Sequence, residues 1–109
     1  MKISELLTGP NKWVKRSEAR NSSGSPVSAR SADACRFCLT GACLKAHPRN
    51  SGRFELYLRL ATAVRALFPE RLDEGEFEAF SNEDVIIEFN DYDKTRFVDV
   101  QRVLAEAGL

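Results

Sequence analysis

Three stretches of the chain repeat apolar residues every three to four positions, and each stops at proline or glycine. The first runs from Ala32 to Ala46 and ends at His47-Pro48, because the residue before a proline avoids the α region. Ser31 can cap it, and Asp33 in its first turn suits the helix dipole. At 100° per residue, Cys35, Leu39, Ala42 and Ala46 share a narrow sector flanked by Cys38 and Cys43. Phe37 and Leu44 lie nearly opposite, so this helix is expected to be central and buried on two sides. Gly41 costs about 1 kcal/mol against alanine in a helix, and its presence predicts close approach of another element. The second stretch, Phe54 to Phe68, carries Phe54, Leu58, Ala61, Val64 and Leu67/Phe68 on one stripe, broadened by Tyr57 and Leu60, and Pro69 closes it. Glu55 and Arg59 are spaced for an i,i+4 ion pair. The third, Arg96 to Ala107, places Phe97, Val100, Val103/Leu104 and Ala107 on one face, with Thr95 as its cap and Gly108 as its stop.

The remaining segments are shorter. Ile3, Leu6 and Leu7 fall on one face of a brief helix that Gly9-Pro10-Asn11 ends. Asn21-Ser22-Ser23-Gly24 is a cluster of turn formers inside a Ser-rich basic loop, residues 20–31. The sequence around it predicts a weak hairpin with Pro26 on an outer edge. Asn50-Ser51-Gly52 reads as a turn. Ser81-Asn82-Glu83-Asp84 resembles a capping box and predicts a short helix through Phe89, against the strand that Val85-Ile86-Ile87 would favour. Asn90 to Asp93 reads as a turn. With 109 residues and 43% hydrophobic positions, the chain supports one ordinary globular domain spanning 1–109. The expected class is mainly α (α+β), a compact single-domain helical bundle with a small N-terminal β-hairpin. In it helix 32–46 packs against 54–68 and 96–107.

The net charge is zero, but it is unevenly placed. Residues 1–53 hold ten Lys/Arg and three acids, for +7, and residues 54–109 hold six and thirteen, for −7. Within the second half, the acidic segment 70–93 sets ten acids against Arg71 alone. Such halves can balance inside one fold, meet head to tail between chains, or present separate faces to partners. The acidic segment could occupy a basic partner surface by charge complementarity, with Glu74, Glu76, Glu78, Glu83 and Asp84 as its contact residues. The basic half interleaves Lys12, Lys15, Arg16, Arg20 and Arg30 with Trp13, a composition that can hold nucleic acid. No helix-turn-helix, RNA-binding sheet motif or finger accompanies it. No run of apolar residues is long enough to span a membrane.

Cys35, Cys38, Cys43 and His47 are all zinc-ligand types, and their spacing approximates a knuckle. On one helix, however, Cys35 and His47 would stand about 18 Å apart, given a rise of 1.5 Å per residue. A helix over 32–46 and a four-ligand zinc site therefore exclude each other, and the apolar stripe favours the helix with buried core thiols. The expectation is no metal and no cofactor, with a small zinc-stabilised module as the alternative. Three cysteines within nine residues do not read as a disulfide framework, which points to the cytoplasm. Asp91-x-Asp93-x-Thr95 after an apolar run resembles the first motif of haloacid-dehalogenase-type phosphatases, with Asp91 as nucleophile and Asp93 as acid/base. The few residues after Thr95 cannot hold the rest of that fold. The plain reading is a turn in which these aspartates accept local backbone N–H groups. No constellation supports an enzyme.

Trp13, Ala19-Arg20 with Gly24-x-Pro26-Val27, Arg36-Phe37-Cys38-Leu39-x-Gly41-Ala42, and Asn90-Asp91 before Thr95 occur in an order with a family likeness. The chain resembles, over roughly residues 3–107, a family of small bacterial and phage proteins known as a domain of unknown function. Asn21 stands where that family has Asp, and Phe37 and Phe89 stand where it has Trp. Cys35 and Cys43 have no counterpart in its pattern. The resemblance implies Cys38 as a core residue, a bacterial or mobile-element origin, and no assigned activity. The resulting expectation is a small non-enzymatic binding protein with a protein partner, modulating a host protein through an acidic surface. The alternative is a nucleic-acid-associated accessory protein using the basic half.

Overall fold

A computed structural model describes residues 2–72 and 81–109, with residues 50 and 51 described by their backbone. Five helices and a three-stranded sheet follow in the order α1 (Ile3–Leu6), β1 (Ala19–Arg20), β2 (Pro26–Val27), β3 (Arg36–Phe37), α2 (Leu39–Ala46), α3 (Asn50–Leu67), α4 (Asn82–Asp91) and α5 (Phe97–Glu106). Single 3-10 turns, Pro10–Lys12 and Pro69–Arg71, follow α1 and α3. The radius of gyration, 12.9 Å, is that of one compact unit of this length. Among the described residues no helix is long and apolar enough to cross a membrane.

The sheet has the strand order β2-β1-β3, antiparallel throughout, with Ala19 opposite both Val27 and Phe37. Asn21 builds the β1–β2 turn by accepting the backbone N–H of Ser23 and Ser25 on Oδ1. Gly24 completes that turn at φ +85°, a conformation that costs other L-residues energy. Pro26 lies in the outer strand as expected, where its missing N–H breaks no ladder bond. Trp13 forms a parallel bridge to Phe37 on the far side of β3.

The third strand overturns the helix expected over 32–46. Arg36 and Phe37 pair with β1, and α2 begins only at Leu39. Ser31 does not cap a helix; its Oγ accepts the N–H of Asp33 in a local turn. Cys38 takes the capping position, its Sγ accepting the Gly41 N–H at 3.3 Å. The close approach expected at Gly41 is present. A Cβ built there would lie 2.0 Å from the Glu18 carbonyl oxygen, the same oxygen that accepts the Cys38 N–H at 3.1 Å. Helix α2 therefore starts against β1 with no room for a side chain at that position.

Helix α3 contacts α2, α4 and α5, and α2, buried from Leu39 to Cys43, contacts α1, β3, α3 and α4. It begins at Asn50, so the expected turn at 50–52 is its first turn. Its buried stripe is Leu56, Leu60, Ala61, Ala63 and Val64, while Phe54 and Leu58 are 71% and 41% exposed. The buried face is thus rotated from the stripe read from sequence, leaving Phe54 and Leu58 facing solvent. Phe89 of α4 stacks on Phe68 at 5.2 Å between ring centroids, and Ile86, Val85, Val100 and Val103 complete the core without exposure. The helix expected from Ser81 through Phe89 forms and continues to Asp91. Ser81 Oγ accepts the Asp84 N–H.

Thr95 does not cap α5. It is buried, and its Oγ1 accepts from Arg71. Asp99 does the capping instead, its Oδ2 accepting the Arg96 N–H at 3.0 Å and the Arg71 guanidinium at 2.7 Å. Arg59 turns away from the Glu55 pairing and donates to the carbonyls of Ala107 and Gly108 at the end of α5.

Candidate functional site

The two oppositely charged halves meet inside the fold. Asn90, 1% exposed, accepts the Trp13 indole N–H at 2.7 Å and the Leu39 N–H at 3.1 Å on Oδ1. Its Nδ2 donates to the Val14 carbonyl and to Asp91 Oδ1. Asp91 Oδ1 also accepts the N–H of Arg16, a residue held at φ +64°. Arg16 pairs with Asp93 at 2.6 Å, and Lys15 Nζ donates to the carbonyls of Tyr92 and Asp93. The aspartates of the phosphatase-like motif are therefore tied to the 13–16 segment, 75 or more positions away, rather than to local backbone. Burial and the neighbouring Arg16 lower the Lys15 ammonium below its ordinary pKa.

Other cations of the basic half also carry internal bonds. Arg20 donates to the Gly24 carbonyl, and Arg30 to the Pro48 carbonyl. The expected acidic contact residues divide differently. Glu74, Glu76 and Glu78 lie outside the described residues. Glu83 and Asp84 are exposed on the first turn of α4, and among the described residues no ion pair engages either. Carboxylates at that end of a helix are favoured by its dipole.

Glu83 lies where two surface cavities adjoin, both lined by Glu18, Thr40 and Glu83. One, of about 470 Å³, adds Leu44, Arg53, Phe54 and Tyr57. The other, of about 300 Å³, adds Arg16, Ser17, Cys38, Ile87, Asn90 and Asp91. Helices α2, α3 and α4 and the segment before β1 supply the walls. Glu18 keeps one carboxylate oxygen on the Ala29 N–H at 2.6 Å. Burial and the nearby Glu83 push the Tyr57 hydroxyl up to about 12, so it stays protonated and able to donate. Sequence reasoning missed Glu18, Phe54 and Tyr57 as neighbours of Glu83, since only the packing of α3 and of the segment before β1 beside α4 joins them. The sole sequence signal was Phe54, an aromatic on the expected stripe that the core leaves exposed.

The thiols do not gather. Cys35 precedes β3 and is half-buried, Cys38 caps α2, Cys43 is buried within α2, and His47 ends that helix. Among the described residues no three His, Cys, Asp or Glu side chains are grouped as metal ligands. Burial raises the Cys38 thiol above its ordinary value, against the bonds from Thr40 and Gly41, and it pushes Cys43 up to about 12. A buried thiol that holds its proton makes a poor metal ligand and a poor nucleophile.

Comparison with curated proteins and with solved structures gave no match. The model of a family of unknown function, DUF6197, matches residues 2–108, and the chain belongs to that family.

Proposed function

We propose that the protein is a non-enzymatic binding module that holds a positively charged segment of a partner protein against the acidic side of α4. The observation that carries this reading is an asymmetry of engagement. Lys15, Arg16, Arg20 and Arg30 of the basic half are bonded within the fold. Glu83 and Asp84 stand exposed at the start of α4 beside an open groove. Cations already bonded to protein carbonyls and carboxylates offer less to a phosphate backbone, which favours the protein-binding reading over the nucleic-acid one. Free thiols at Cys35, Cys38 and Cys43 suit a reducing compartment such as the cytoplasm. A bacterial or mobile-element origin fits a small module of this kind that modulates a host protein.

The test sets a labelled lysine-rich peptide against a labelled double-stranded DNA at low salt, read by fluorescence anisotropy. The peptide is expected to bind and the DNA not. Reversal of Glu83 and Asp84 to Lys should weaken the peptide at least about tenfold, or about 1.4 kcal/mol. DNA binding that is lost when Lys15, Arg16 and Arg20 become Ala would replace this reading with the basic-half alternative.

A further inference from the structure

The two cavities beside Glu83 differ in chemistry, and the difference defines an occupant. The smaller is bounded by the carboxylates of Glu18, Glu83 and Asp91. Its one lining cation, Arg16, is neutralised by Asp93 at 2.6 Å. The larger shares Glu18 and Glu83 with the smaller and adds the apolar wall of Leu44, Phe54 and Tyr57. Phe54, at 71% exposed, is the most exposed of the large apolar side chains recorded among the described residues. Ile87, 39% exposed, stands on the carboxylate side. An apolar ring left in solvent beside a cavity marks a contact surface more than a scattered surface residue does. Arg53 also lines the larger cavity, with its guanidinium on the carbonyls of His47 and Pro48.

We propose that this groove binds an extended partner segment carrying one Lys or Arg close to an apolar residue. The cationic head enters the cavity of Glu18, Glu83 and Asp91, and the apolar side chain lies on Leu44, Phe54 and Tyr57. Charge complementarity selects the cation at one end. The apolar wall of Leu44, Phe54 and Tyr57 offers a second cation nothing in exchange for its desolvation, so the groove discriminates against uniformly basic segments. Tyr57, protonated throughout the physiological range, donates a hydrogen bond to a backbone carbonyl of the segment. Aromatic faces beside carboxylates also attract the cation directly. The inference rests on the protein-binding reading above and specifies its site.

The experiment measures anisotropy of three labelled peptides in a Gly/Ser background against the full chain. One carries Lys followed two positions later by Phe, one carries the Lys with Ser in place of the Phe, and one is oligo-arginine. The same titrations are run with Glu83→Gln and Phe54→Ser, and with Glu106→Gln as a remote control. Both test residues are exposed, and circular dichroism confirms that the variants fold. The expected result is tightest binding of the Lys/Phe peptide, weakened at least about fivefold, or about 1 kcal/mol, by either test substitution and unchanged by the control. Oligo-arginine that binds at least as well, with no effect of Phe54→Ser, overturns the groove and leaves the acidic surface of α4 standing. No binding of any peptide up to about 1 mM overturns both readings.

Discussion

Trp13 donates its indole N–H to Asn90 Oδ1 at 2.7 Å, joining the start of the chain to α4 across 77 positions. The same oxygen accepts the first N–H of α2, and the amide nitrogen of Asn90 reaches the Val14 carbonyl. One buried side chain on α4 thus satisfies groups from two other segments, Trp13–Val14 and the start of α2. A buried amide is worth its desolvation only when its bonds are made, and here they are.

Asn90→Leu puts a branched apolar side chain in place of the amide and removes every one of those bonds. It leaves the Trp13 and Leu39 N–H groups and the Val14 carbonyl without this partner. The expected loss is about 3 kcal/mol, since each abandoned buried group costs about 1–3 kcal/mol and some relaxation follows. Urea unfolding should show a lower midpoint with an unchanged slope.

Gly41→Ala should reverse the usual helix preference. Alanine gains about 1 kcal/mol over glycine in a helix interior. Here the added Cβ would sit 2.0 Å from the Glu18 carbonyl oxygen, which is backbone adjoining β1 and held by the Cys38 N–H. The helix or the strand must shift, and overpacking of this kind costs about 1–3 kcal/mol or more. Thermal unfolding of the variant should show a net loss of stability.

Asp99 gives the fold an acid-sensitive joint. Burial alone would raise its carboxyl, but the Arg96 N–H and the Arg71 guanidinium outweigh burial and hold it below the ordinary value of 3.8. A depressed folded pKa means that its stabilisation is complete above the unfolded value. It is lost as the pH falls through the folded one. Asp99→Asn should therefore be less stable at neutral pH by about 2 kcal/mol. Its stability should fall less steeply than that of the unmodified chain below pH 3.8. Urea midpoints across an acid pH series measure both effects.

Thiol reactivity should separate the cysteines. Cys38 and Cys43 are buried and their thiols are raised by that burial, whereas Cys35 is only half-buried. Titration of the native protein with a thiol reagent at mildly alkaline pH should show one fast group and two slow ones. Denaturant should make all three fast. Cys35→Ser should remove the fast group, and equal rates in the native state would contradict the packing of α2.

Much of this arrangement was legible in the residue order. Helices α1, α3, α4 and α5, the hairpin around Gly24 and the tight packing at Gly41 follow from periodicity, capping and turn chemistry. The start of α2 was not legible. Helix formers fill 32–37, yet two backbone pairings to β1 claim Arg36 and Phe37, and such pairing depends on residues far away in sequence. The register of the α3 stripe was misplaced for a related reason. Periodicity gives a face, but α4 and α5 decide which edge of that face is covered, and they leave Phe54 outside. At the site, Glu83 and Asp84 were visible as acids in a helix cap. Glu18 and Tyr57 became their neighbours only through tertiary packing. The Asp91 and Asp93 partners were hidden likewise, because a carboxylate in a turn signals a local bond and here receives a distant one.

Trp13 is the only tryptophan in the chain, and it stands on the seam that Asn90 closes. A nascent chain emerging from the ribosome can pair its early strands, but the indole has no acceptor until α4 has been synthesised. Its fluorescence therefore reports the moment when the 13–16 segment and α4 come together.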